Sequence, residues 1–137
     1  MYLSLISILI SIWVGSIIFF SAIVAPTVFK SLDEKNAGVF LRAFFPKYYN
    51  FGILLGVASL ALMYLSGIIP VLNYSLFVIN VLMLVFTIIG KMMIPLINNA
   101  RDLGASGEKK FKILHLISVI LNVITLIIGI IFLTIIY

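Results

Sequence analysis

Long apolar runs broken by two charged connections set the plan of this chain. Four runs, about 2–29, 48–69, 74–97 and 112–137, each reach the roughly 20 residues that a helix needs to cross a hydrocarbon core about 30 Å thick. Between the first two, Ser31 with Glu34 three residues on makes a capping-box pattern. Ala37, Phe40, Leu41, Phe44 and Tyr48 then recur at helical spacing until Pro46, with Asp33, Glu34, Lys35 and Arg42 on the other side. The pattern predicts a short amphipathic interfacial helix over about 31–45, its Phe residues turned to the acyl chains. Gly67, Pro70 and Asn73 predict a tight uncharged connection between the second and third runs, and residues 99–108 a polar one before the fourth. The expected fold is an all-α integral membrane bundle of four transmembrane helices, a single domain over residues 1–137.

Small and polar residues are not scattered over these helices. In the first, Ser4, Ser7, Ser11, Gly15 and Ala22 share an arc of about 80° at 100° per residue. In the second, Gly52 and Gly56 form a Gly-x-x-x-Gly step continued by Ser59, Met63 and Ser66. Both seams predict close helix packing through Ser4, Ser7, Ser11, Gly52 and Gly56. Trp13 lies mid-span and is no interfacial anchor. Asn73, Asn80, Thr87, Lys91 and Asn98 fall within an arc of about 40° on the third helix. Lys91 is the one charge inside a span, open to two readings: a stem that snorkels to the interface, or part of a polar site. On the fourth helix His115, Ser118, Asn122, Thr125 and Gly129 share an arc of about 80°. Pro95 and Asp102 repeat the spacing of Pro26 and Asp33, which hints at two hairpins in parallel repeat.

Composition strengthens the membrane reading: 64% of the 137 residues are hydrophobic, 9% are charged and the mean hydropathy is +1.35, too little polar surface to cover a soluble globule. Cysteine is absent, which removes disulfides, thiolate nucleophiles, iron–sulfur clusters and Cys zinc sites. The first run exceeds a signal-peptide core and is expected as a retained span. All nine Lys and Arg residues and all four acids belong to the first or third connection or its edge. The positive-inside rule makes that face cytoplasmic and both termini external, in the inner membrane of a prokaryote. The net charge of +5 then meets lipid headgroups, and no nucleic-acid partner is expected.

Polar stripes facing lipid would be costly, so those of the third and fourth helices should meet inside the bundle. One reading is helix-to-helix hydrogen bonding by Asn80, Thr87, Ser118 and Asn122. The sharper one is a small cavity near the cytoplasmic face lined by His115, Lys91 and Asn122, with Ser118, Thr125, Asn80 and Thr87 in the same seam. His115 is the only His; Met63, Met83, Met92 and Met93 are soft donors that would suit Cu(I), and a heme would need a second axial group. No carboxylate lies in a span and no nucleophile–base pair is visible, so no enzyme activity, cofactor or metal is expected.

Three blocks carry a family resemblance: WVGSIIFFSAIVAPTVFKSL, AGVFLRAFFPKYY and FKILHLISVILN. With Trp13, Gly15, Pro26, Pro46, His115 and Asn122 at the marked positions, the chain resembles domain-of-unknown-function family 4149, which includes proteins similar to transmembrane protein 205. The resemblance implies a four-span membrane protein, with metal-drug and copper resistance as leads. The function expected first is binding or passage of a small solute or metal complex in the polar seam. The alternatives are a structural or accessory subunit that packs against another membrane protein or a copy of itself, and a heme or copper redox protein.

Overall fold

The computed structural model describes residues 1–67 and 74–136. The connection expected at Pro70 and Asn73 lies outside the described residues. Every element described is helical: α1 (Tyr2–Phe19), a π turn (Phe20–Val24), α2 (Ala25–Ser31), α3 (Glu34–Leu65), α4 (Tyr74–Asp102), a 3₁₀ turn (Gly104–Gly107) and α5 (Glu108–Ile135). Four of the resulting helices, Tyr2–Ser31, Glu34–Leu65, Tyr74–Asp102 and Gly104–Ile135, are long and apolar enough to cross a membrane. Pro26 supplies no N–H to the carbonyl four residues back, and the wider π turn sits directly before that missing bond.

The helices form a ring in which α3 packs on α4, α4 on α5, and α1 on both α3 and α5. Large apolar side chains point outward on every long helix, among them Ile8, Ile12, Leu54, Val57, Leu82, Val85, Ile120 and Ile127. Such an outer surface suits lipid and not water.

The larger hydrophobic cluster fills the half of the bundle away from the charged connections, and a smaller one of Phe20, Val28, Ala37 and Leu41 lies near them. Ile6, Ile10, Trp13, Val14 and Ile17 of α1 meet Leu55 and Met63 of α3, Leu76 and Met83 of α4, and Phe132 of α5. Trp13 explains the glycine step: a Cβ on Gly52 would stand 2.7 Å from its indole nitrogen, and one on Gly56 2.8 Å from its six-membered ring. The two glycines form a slot for an indole from the same chain. Gly129 makes the same concession to Val14, at 2.6 Å, and to the end of Met83.

Two expectations change. The segment expected as a separate interfacial helix continues through Pro46 into the second span as the single helix α3. Its aromatic face turns inward in part: Phe20 stacks on Phe44 at 5.1 Å and meets Phe45 and Tyr48, so the π turn of the first helix covers part of that face, while Phe40 stays exposed. The small-residue arc of α1 is the other change. Ser7 is buried, but Ser4, Ser11, Gly15 and Ala22 are exposed, and a Cβ on Gly15 would meet nothing within 4 Å. Since Trp13 must enter the glycine slot, the face that carries it packs, and the opposite face is left outside.

Candidate functional site

Both charged connections lie at one end of the bundle, where side chains tie them together. Arg42 of α3 gives both terminal nitrogens to the Asp102 carboxylate of α4. Arg101 donates to the backbone carbonyl of Glu34 at 3.2 Å. Asp33 caps α3 by accepting the Asn36 backbone N–H at 2.8 Å, and that bond holds its carboxyl below the usual carboxylate range. At the end of α4, Gly104 adopts φ +59°, a left-handed turn that suits glycine, and Gly107 packs so tightly on the Ala100 carbonyl that no Cβ would fit.

Beneath this charged end lies a cavity of about 320 Å³ between α2, α3, α4 and α5. Its mouth carries Glu34, Arg42, Asn98 and Arg101, and its walls are Phe29, Leu41, Phe45, Ile94, Ile97 and Phe111. Three further residues, Tyr49, His115 and Ser118, add polar groups. Tyr49 is buried at 7% exposure as a residue, but its hydroxyl, which makes no hydrogen bond among the described residues, is open to the cavity. Its ring fits because position 90 is glycine: a Cβ there would stand 2.6 Å from the ring. The Arg101 guanidinium is held similarly, with its carbon 3.1 Å from where a Cβ on Gly38 would be and 5.6 Å from the centre of the Phe111 ring. Phe111 in turn stacks with the His115 imidazole at 5.8 Å, the planes 8° apart.

The stripe expected on α5 is buried only at Thr125 and Gly129; Ser118 and Asn122 are half-buried and His115 is exposed at the cavity. His115 and Ser118 line the cavity. Asn122 instead accepts a 3.0 Å hydrogen bond from the Tyr48 hydroxyl, while Thr125 and Gly129 are buried. The stripe on α4 divides too. Asn98 lines the cavity, Thr87 is buried and donates to its own Met83 carbonyl, and Asn80 is buried where its amide donates to Ser59 of α3. Lys91 is exposed and lines no part of the cavity. The expected trio of His115, Lys91 and Asn122 is therefore not gathered: of the three, only His115 reaches the cavity. Met63, Met83 and Met93 are buried and Met92 exposed, and none of the four lines the cavity beside His115.

Arg101, Tyr49, Gly38 and Gly90 are the residues that sequence reasoning missed. Arg101 sits in a polar connection, and its partner Glu34 is 67 positions away, so periodicity on either helix carries no sign of their meeting. Gly90 had one weak signal, a lone glycine inside an apolar helix, which often marks a close approach.

Among curated proteins, an "Uncharacterized protein" of Aquifex aeolicus (strain VF5) is 40% identical over 87 residues. The aligned stretch covers 61% of this chain and 64% of that protein, a little under two thirds of its length. No solved structure matches the chain. Residues 8–106 match the family described as a domain of unknown function, DUF4149; the matched stretch contains Trp13, Gly15, Pro26 and Pro46 and ends before His115 and Asn122. With most of its length covered by that match, the chain belongs to the DUF4149 family.

Proposed function

We propose that this is a non-enzymatic integral membrane protein whose charged end faces the cytoplasm and whose cavity binds a small solute from that side. One observation carries the reading: the Tyr49 hydroxyl, which makes no hydrogen bond among the described residues, opens on a cavity whose mouth holds the guanidinium of Arg101. A dry packing void in a helix bundle is lined by apolar groups, whereas this cavity presents a hydroxyl and a guanidinium for water or a solute to bond. The volume falls at the lower end of the range for small-molecule sites, roughly 300–1,000 Å³. The lining is largely apolar with a few convergent polar groups, as such sites require.

The test is to fill the cavity. Ser118 sits on its wall, and Ser118→Trp would occupy much of the space without touching the core around Trp13. Native mass spectrometry of protein released from its own membrane should find a small molecule retained by the wild type and absent from the variant, with both equally folded. Equal retention, or none in either, would overturn the reading.

A second reading is favoured by the exposed Ser4, Ser11 and Gly15 on α1, a face that accommodates another helix closely. In that case the chain is an accessory subunit. Gly15→Leu would then dissociate a larger complex while leaving solute retention intact; an unchanged size in native gels counts against it.

A further inference from the structure

We propose that the solute is a single-chain amphiphile with an oxyanion head, the head seated at Arg101 and the chain directed inward toward Tyr49. The inference deepens the cavity reading above and rests on it.

The two guanidiniums at the mouth are not equivalent. Arg42 commits both terminal nitrogens to Asp102. Arg101 makes one hydrogen bond among the described residues, to the Glu34 carbonyl, and the Glu34 carboxylate lies 3.9 Å away on a side chain that is 94% exposed. Exposed pairs of that kind bind weakly. A guanidinium carries five N–H donors in a planar fork, so Arg101 keeps donors for a carboxylate or phosphate head. The fork is also held in place, by the close approach over Gly38 and by the Phe111 ring, and less freedom is lost when an anion docks. Asn98 beside it offers amide donors.

Inward from Arg101 the chemistry changes. Leu41, Phe45, Ile94 and Ile97 form the wall, and no charged residue lines the cavity at its Tyr49 and Gly90 end. From Arg101 to Gly90 the helix covers roughly 16 Å at about 1.5 Å per residue. An inorganic anion would leave those walls facing water, and a neutral chain would leave the guanidinium fork unpaired. An amphiphilic anion satisfies both ends, and its geometry matches a molecule already lying in a bilayer with its head at the interface.

The full-length protein in phosphatidylcholine nanodiscs is titrated calorimetrically with decanoate, decyl phosphate, decanol and inorganic phosphate, with empty nanodiscs as the blank. Decanoate or decyl phosphate should bind at least about tenfold tighter than decanol, the usual advantage of a charge-assisted hydrogen bond. In Arg101→Gln, which keeps a donor for the Glu34 carbonyl, that advantage should vanish while decanol is unaffected. Equal affinity for decanol and both anions overturns the oxyanion head and leaves the cavity reading standing. Inorganic phosphate binding as tightly as decyl phosphate overturns the chain. If no chain-bearing probe binds the wild type, both this inference and the cavity reading fall.

Discussion

The two halves of this bundle use glycine for opposite ends. In the sealed half Gly52, Gly56 and Gly129 admit Trp13, Val14 and Met83, apolar groups that fill the space and close it. In the half beneath the charged connections Gly38 and Gly90 admit the Arg101 guanidinium and the Tyr49 ring, which leave a cavity beside them. The difference shows that close helix approach does not by itself mean packing. What differs is whether the incoming group fills the space it enters, as the Trp13 indole does, or borders a cavity, as Arg101 and Tyr49 do.

The largest expected effects come from truncating equal side chains in the two halves. Trp13 at 2% exposure and Phe132 at 0% are enclosed, so Trp13→Ala or Phe132→Ala should cost about 3 to 5 kcal/mol of unfolding free energy. Phe45 borders existing empty space and is half-buried, so Phe45→Ala should cost roughly half as much, because part of its contact surface is already missing. Thermal unfolding in one detergent measures both. Equal losses would abolish the distinction between a sealed and an open half.

Adding a methyl group sharpens the same contrast. Gly52→Ala drives a Cβ into a rigid, enclosed indole and should destabilise by about 1 to 3 kcal/mol. Gly38→Ala presses only on the end of a long Arg101 side chain, which can yield, and the gain in helix propensity, about 1 kcal/mol, offsets the strain. Its melting temperature should therefore stay near that of the wild type while retention of the cavity's solute falls. A Gly38→Ala protein that melts as early as Gly52→Ala would mean that Arg101 is fixed as firmly as Trp13.

Much of the fold was legible because hydropathy and helical period are local properties. On α5 the buried positions Thr125 and Gly129 were legible too, whereas His115, at the other end of the same stripe, is exposed. What was not legible is which helix each face meets. The glycine step at Gly52 and Gly56 was visible, and so was a Trp mid-span at position 13, yet nothing within either helix joins them. For the same reason the arc from Ser4 to Gly15 was expected to pack, whereas the indole brings the other side of α1 into the core. Arg101 was counted with the surface charge because an arginine's role depends on its neighbours from other helices, here Glu34, Gly38 and Phe111.

A smaller effect lies inside the sealed half, among whose buried polar residues Asn80 stands apart. Its amide nitrogen donates to Ser59, but its carbonyl oxygen is buried with no partner among the described residues. Ser59→Ala removes the one side-chain oxygen that accepts from Asn80 and should cost about 1 kcal/mol. Asn80→Leu removes the orphan together with the bond and should be close to neutral, since Ser59 keeps its own hydrogen bond to the Gly56 carbonyl. A loss for Asn80→Leu larger than for Ser59→Ala would show that the carbonyl has a partner, such as a buried water, and that the sealed half is not dry.

The smallest effect belongs to the charged end. The Asp33 carboxylate accepts the Asn36 backbone N–H and so holds its proton less readily than in an unfolded chain, where an Asp titrates near 3.9. A depressed folded value means that the contribution is fully present above about 3.9 and fades as the pH falls through the lower folded value. Asp33→Asn keeps a side-chain acceptor for the cap but cannot titrate. Melting temperatures of the two proteins should differ slightly near neutral pH, and the gap should narrow on acidification as Asp33 takes up its proton. Because the site is open to solvent, salt should narrow the gap at neutral pH as well. A gap that widens in acid would mean that the protonated cap is the favoured one, and that the fixed mouth of the cavity does not depend on this charge.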